Sequence, residues 1–383
     1  MSYRFIELEH LYIHWPFCPY KCHFCDFVAM AAHEEFMQQY HHALLKELYQ
    51  NESLMPLKPR LRTIYFGGGT PSTYPAELLL DTFGTLRKLF DFDQTTEVTI
   101  EVNPGTVTPR LFDVWSEVGI NRLSIGVQSL KDAVLSSLNR HQSKQQVEEI
   151  LQQASGYFKN LSVDFILGLP GVSDEEWKEM IQEAMSWPIQ HISIYFLTVH
   201  EDTPLYFKVT RNKIQLPPDD SMVDLYNWTV DYLAGYGFER YEISNFAKKG
   251  FRSLHNAAYW NRKSYRGFGL GACSFNGIDR FQNTKNLGKY IQNIENCQSV
   301  VDMAETLTES QIMLEKLMLG LRQTDGVLVK EYITTLSLDK HTKFFENIAL
   351  LESAQLLSYR DGNIQLTPKG YVLENEVTLK LFS

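Results

Sequence analysis

No apolar run in this 383-residue chain approaches the ~20 residues that cross a bilayer, and the N-terminus has no basic-then-apolar leader pattern. A cytoplasmic protein is expected, in which any membrane contact is peripheral. Basic residues are in deficit: the formal net charge is −10, so nothing points to a phosphate-backbone partner, and no nucleic acid is expected. Cysteine is scarce and odd in number, five in all, which argues against a disulfide framework. Low-complexity tracts and short repeats are absent as well, excluding a solenoid. What remains, 44% hydrophobic and 21% charged, is an ordinary globular composition with length for one large domain and a smaller one.

Strand-like and helix-like patterns alternate through the first two hundred residues. The short apolar runs are Leu11–Trp15, Thr63–Phe66, Val98–Val102, Leu123–Val127, Ser162–Leu167 and His191–Leu197. Helical periodicity fills the intervals at Glu34–Tyr49, Pro75–Leu89, Pro109–Val118, Lys144–Phe158 and Asp174–Met185. Six such units fit an α/β fold, either a partial (β/α)6 barrel or a doubly wound open sheet. The notable residues sit at or just after the C-terminal ends of the runs, where a barrel carries its site, and this favours the barrel. The expected division is 1–220 for the barrel and 221–306 for a sheet extension or cap containing Tyr241–Phe246, His255–Trp260 and Gly267–Phe275. Residues 307–383, with helical Glu309–Arg322 and Thr342–Ser353 and a hairpin turning at Asp361-Gly362-Asn363, read as a winged-helix-like α+β domain.

Three of the five cysteines fall within eight residues: Cys18, Cys22 and Cys25, spaced C-x3-C-x2-C after the first strand. Thiolates are the usual ligands of iron–sulfur clusters, and three on a four-iron cube leave one iron open. A structural zinc prefers four closed ligands; no second C-x2-C pair exists, and His23 as a fourth ligand leaves the rest of the motif unexplained. Cys273 and Cys297 read as ordinary thiols. The motif, with Phe24 before the last cysteine, resembles the radical S-adenosylmethionine (SAM) superfamily. That resemblance implies a [4Fe–4S] cluster whose open iron is chelated by the amine and carboxylate of SAM. It also implies an electron donor, and reductive cleavage of the cofactor to a 5′-deoxyadenosyl radical.

Further residues form a candidate cofactor cup. Gly67-Gly68-Gly69-Thr70-Pro71 follows a strand and precedes a helix, which by itself describes a tight turn. In a cluster-bearing barrel, Gly68, Gly69 and Thr70 look like the loop that receives the methionine amine. Glu101, Gln128, Arg140 and Asp164 are polar within or beside apolar segments and need partners if buried. They pair either with one another or with the amine, ribose and carboxylate of the cofactor, the planar fork of Arg140 suiting the carboxylate. Thr198 follows the sixth strand, and Tyr12 is expected on the adenine side.

The resemblance then narrows. Tyr12-Ile13-His14, Pro16-Phe17-Cys18, Cys25-Asp26-Phe27, Gly67–Pro71, Glu101–Pro104 and Gly126–Ser129 all carry it. So do Asn139-Arg140, Asp164, Gly168-Leu169-Pro170, His255-Asn256-Ala257-Ala258-Tyr259-Trp260 and Gly269–Ala272. These look like the HemW heme chaperones, relatives of the oxygen-independent coproporphyrinogen III dehydrogenase HemN. HemN carries a further cysteine where this chain has Phe27, and a longer segment before its cluster than the seventeen residues here. Both differences put porphyrinogen decarboxylation in doubt. The resemblance implies heme binding and delivery to hemoproteins, respiratory enzymes among them. Decarboxylation of coproporphyrinogen, or radical chemistry on another substrate, remains the alternative. His255 is the expected heme ligand, with Tyr259 and Trp260 packing the ring, and His10, His14 and His200 as rivals.

Overall fold

The computed structural model describes residues 3–333 and 338–382. Six parallel strands follow the expected runs: β1 (His10–Trp15), β2 (Thr63–Gly68), β3 (Glu97–Val102), β4 (Arg122–Gln128), β5 (Asn160–Leu167) and β6 (His191–Phe196). The longer helices between them are α1 (Met37–Gln50), α2 (Ala76–Leu89), α3 (Pro109–Val118), α4 (Lys144–Ser155) and α5 (Asp174–Ala184). Their starts are written locally. Ser143 with Gln146, and Ser173 with Glu176, form reciprocal capping boxes that satisfy the first free N–H groups of α4 and α5.

Side-chain alternation on the strands decides between barrel and doubly wound sheet. Ile13, Ile64, Ile100, Ile125, Val163 and Ile192 point to one face and join the core formed with Leu44, Phe83, Trp115, Ile150 and Trp177 of the helices. The residues between them include Tyr12, Tyr65, Glu101, Ser124, Asp164 and Ser193, of which Tyr12 and Tyr65, Glu101 and Ser124, and Asp164 and Ser193 are register pairs on neighbouring strands. A doubly wound sheet, covered by helices on both faces, needs apolar residues on both. A polar inner face with all the helices outside is a partial (β/α)6 barrel.

The chain then extends the sheet at both edges. After α6 (Asp219–Ala234), β7 (Glu239–Arg240) and β8 (Asn245–Ala247) add antiparallel to β6. On the other side β9 (Tyr265–Phe268) pairs parallel with β1, followed by antiparallel β10 (Cys273–Phe275), β11 (Asp279–Asn283) and β12 (Val301–Thr306). The full order is β12-β11-β10-β9-β1-β2-β3-β4-β5-β6-β8-β7, twelve strands whose outer edges do not pair with each other among the described residues. His255–Trp260, expected in a sheet extension or a cap, lies in helix α7 (Leu254–Trp260), capped by the Ser253 side chain on the Asn256 N–H.

Helix α8 (Leu287–Glu295) closes the extension against α1 through Glu47. This fully buried carboxylate accepts from the Gly269 N–H (2.8 Å), Asn283 Nδ2 (2.8 Å) and the Tyr290 hydroxyl (2.7 Å), and pairs with Arg266 at 3.4 Å. The C-terminal part is α9 (Glu309–Leu321), β13 (Val327–Leu328), α10 (Leu338–Ser353), β14 (Leu357–Arg360), β15 (Asn363–Leu366) and α11 (Glu374–Phe382). It has its own apolar core around Leu317, Phe344, Ile348, Ile364 and Val377. The β14–β15 hairpin turns through Asp361 (φ 53°) and Gly362 (φ 78°), the paired left-handed conformation that matches strand twist. No helix among the described residues is long and apolar enough to cross a membrane.

Candidate functional site

A cavity of about 420 Å³ opens at the C-terminal ends of the barrel strands. Cys18, Cys22 and Cys25 line it, together with Gly68, Gly69, Thr70, Glu101, Gln128, Arg140, Asp164 and Thr198. The structure thus gathers eight of the nine residues proposed for the cofactor around the three thiols. Tyr12 is the exception: its side chain faces a second cavity, with its hydroxyl 3.0 Å from His14 Nδ1.

The cluster loop is strapped down from several directions. The Thr70 N–H donates to the Phe17 carbonyl (2.9 Å), and its hydroxyl donates to Cys18 Sγ (3.2 Å). Asn139 Nδ2 donates to the Lys21 carbonyl (2.9 Å), and the His23 N–H to the Leu138 carbonyl (2.9 Å). His23 itself turns outside the cup, its Nδ1 3.1 Å from Lys208 Nζ. Burial pushes the Cys18 thiol up to about 11, a hydrogen bond from Thr70 opposes that, and the neighbouring sulfurs of Cys25 and Cys22 add to it. Burial raises the Cys25 thiol as well, and such desolvated thiols ionise only beside positive charge, which bound iron would supply. Among the described residues no trio of His, Cys, Asp and Glu is gathered tightly enough to hold a metal ion. A cube that meets each thiolate through a different iron asks for a wider triangle than a single zinc does. The residues fit a three-thiolate cluster.

The triple glycine is a packing device as well as a loop. Gly68 has φ +116°, and a Cβ there would lie 2.6 Å from the His14 ring; at Gly69 it would lie 2.5 Å from the Pro16 carbonyl oxygen. The Gly68 N–H donates to Glu101 Oε2 (3.2 Å), while the Tyr65 hydroxyl donates to Oε1 (2.9 Å). Burial raises the Glu101 carboxyl to about 7 against these two donors, with Asp164 adding to the rise. Asp164 accepts from Ser124 Oγ (3.0 Å) and is likewise raised by burial. Arg140 donates through Nη2 to the Gly126 carbonyl (2.7 Å) and through Nε to Gln142 (2.8 Å), which leaves Nη1 3.9 Å from Cys22 Sγ. Gln128 adopts φ +65° where the β4–β5 register shifts. The cup therefore offers a basic group beside the thiols and two acidic groups on the opposing strands. That layout suits a zwitterionic amino acid with a hydroxyl-bearing ring. Sequence reasoning passed over Ser124, Ser193 and Tyr195, which share the inner-face register with Asp164 and also line the cup.

His255 lies elsewhere. It is 1% exposed, with Nδ1 2.7 Å from Thr63 Oγ1 and Nε2 2.8 Å from the Tyr259 hydroxyl. Glu97, at the start of β3, accepts from the Leu254 and His255 N–H groups (both 2.9 Å) and so caps α7. In this arrangement His255 presents no nitrogen to an iron; it anchors α7 against the N-terminal ends of β1–β3. Of its rivals, His10 hydrogen-bonds Thr63 (2.9 Å) in the same buried network, and His14 Nε2 is 2.8 Å from the Val28 carbonyl. His200 pairs with Asp26 at the cup mouth (3.3 Å).

The Radical SAM superfamily model matches residues 12–184, and the HemN C-terminal domain model matches 307–373. The heme chaperone HemW of Bacillus subtilis is 33% identical over 97% of this chain and 98% of its own length. HemW of Lactococcus lactis is 30% identical over 96% and 95%. Among solved structures, Escherichia coli coproporphyrinogen III oxidase (HemN), described as a radical SAM enzyme, superposes with a TM-score of 0.86. That superposition covers 99% of this chain and 91% of the other at 23% identity, a likeness of fold. With its three-thiol loop at the mouth of a polar partial barrel, the chain belongs to the HemW family of the radical-SAM superfamily.

Proposed function

We propose that this chain is a heme chaperone: it binds heme, carries a [4Fe–4S] cluster and SAM in the cup, and delivers heme to hemoproteins, respiratory enzymes in particular. The observation that carries this reading is near-full-length similarity to relatives named as heme chaperones, including the C-terminal module. When bound, the cluster supplies single electrons at the cofactor's sulfonium, from a donor protein yet to be identified.

The chain's own groups then have definite tasks. Cys18, Cys22 and Cys25 hold three irons, and Thr70 donates to the first sulfur. Glu101 accepts the cofactor's amine; an ammonium beside it favours the ionised carboxylate that burial alone disfavours. Arg140 and Gln128 face the carboxylate end, and Asp164 the ribose hydroxyls.

Phe27 stands where HemN has its additional cysteine and is 59% exposed at the mouth of the cup. That favours a carrier over a decarboxylase. Anaerobic incubation of the reconstituted chain with coproporphyrinogen, SAM and a reductant tests it. No protoporphyrinogen is expected, and turnover would overturn the chaperone reading.

A further inference from the structure

Beside the cup, and sharing Gly68, Glu101, Asp26 and Phe27 with it, lies the second cavity, of about 560 Å³. It lies between the sheet extension and α9, and no part of the cluster or cofactor machinery described above uses its outer end. Its walls are predominantly aromatic and aliphatic: Tyr12, Tyr259, Tyr265 and Phe275, with Leu319 from α9. Cations gather at the outer end, where Arg262, Lys263 and Arg280 line it with Glu315.

Arg262 is the informative residue. Its side chain is 6% exposed, its guanidinium lies 4.8 Å from the Phe275 ring centre, and its nearest carboxylate oxygen, on Glu315, is 3.4 Å away. Its Nη2 is the atom that faces Glu315 Oε2, without hydrogen-bond geometry, and its buried Nε has no hydrogen-bond partner among the described residues. Glu315 is shared, because Arg280 pairs with its other oxygen. A desolvated guanidinium short of acceptors is costly, and a planar carboxylate is the group that satisfies it best. Cys273 lies on the same wall, on the outward side of β10, with its neighbour Ser274 buried. The imidazole on this wall, His14, has both nitrogens engaged by Tyr12 and Val28.

We propose that this cavity holds a flat, apolar macrocycle bearing carboxylates, with the carboxylates on Arg262 and Lys263, Tyr259 and Tyr265 against the ring, and the Cys273 sulfur toward the metal. The inference rests on the heme-carrier reading and locates its cargo. The cargo then sits next to the cofactor cup, separated from it by Gly68 and Glu101. Tyr259 of the H-N-x-x-Y-W segment touches it, while His255 supports Tyr259 from behind.

The test is titration of the full chain, with its cluster reconstituted, using hemin and separately metal-free protoporphyrin IX. Arg262→Gln should weaken both at least tenfold. Cys273→Trp, which fills the cavity from an exposed position, should do the same without unfolding the chain. Cys273→Ala should keep the affinity for the metal-free ring but shift the hemin Soret band. SAM affinity and iron content should stay at parental levels in all three. Parental binding and spectra in every variant, with hemin still bound, would overturn this site and leave the carrier reading intact. An unshifted Soret band in Cys273→Ala would overturn the sulfur contact. Failure of the parent chain to bind hemin would overturn the carrier reading and this site together.

Discussion

The Thr70 hydroxyl donates to Cys18 Sγ at 3.2 Å, so the glycine-rich loop touches the cluster ligand directly. Hydrogen bonds to cluster sulfurs stabilise the reduced, more negative state. Thr70→Val should therefore lower the cluster's reduction potential while leaving iron content unchanged. Potentiometric titration followed by electron paramagnetic resonance reads both. An unchanged potential would mean that the contact is lost once iron binds.

Glu101, raised to about 7 by burial, gives two opposite pH dependences. In the cofactor-free chain the folded state holds its proton between pH 4.5 and 7 while the unfolded state has lost it. Its contribution to stability is thus full below about 4.5 and declines as pH rises toward 7, by at most about 3 kcal/mol. The cofactor's ammonium prefers the ionised carboxylate, so SAM affinity should rise over the same window. Glu101→Gln should flatten both profiles, as measured by chemical denaturation and calorimetry. A parental pH profile in the variant would assign the titration to another group.

Glu47 and Arg266 are 0% and 4% exposed, and Glu47 also receives three further hydrogen bonds from the sheet extension and α8. Removing one partner of such a pair leaves a buried charge uncompensated, so Glu47→Ala should cost roughly 3–5 kcal/mol. Urea unfolding measures this. A loss below about 1 kcal/mol, the scale of a surface pair, would contradict the account of how the extension is held.

His255→Ala removes two buried hydrogen bonds and leaves a void, and should destabilise the chain by roughly 2–4 kcal/mol. In folded protein its hemin affinity should stay within a few-fold of the parent, because Tyr259 retains its place on the second cavity. Parental stability combined with loss of the Soret band would restore His255 as the axial ligand.

Much of the barrel was legible in the sequence. Each expected strand core lies within or overlaps an observed strand, and Leu-Tyr-Ile-His-Trp, Val-Thr-Ile-Glu-Val and His-Ile-Ser-Ile-Tyr-Phe already alternate apolar with polar. Strands buried under helices on both faces do not alternate, so this pattern also distinguishes the barrel from a doubly wound sheet. The same alternation would have added Ser124, Ser193 and Tyr195 to the cup. His255–Trp260 was left open between sheet extension and cap, because the seven residues of α7 are too few to show a helical period, while its start is fixed by Ser253 and by Glu97, far away in the chain. Tyr12 lies on the inner face, but which cavity it faces depends on the curvature of β1 against β9, and no local pattern encodes that. Arg262, Cys273 and Leu319 meet only through long-range packing of the extension on α9.

The central claim is tested most directly by titrating the anaerobically reconstituted chain with hemin and following the Soret band. The account predicts saturation at about one hemin per chain, with the iron–sulfur absorbance retained and the bound heme released to an apo-hemoprotein. No saturable Soret change, with the cluster intact, would contradict it.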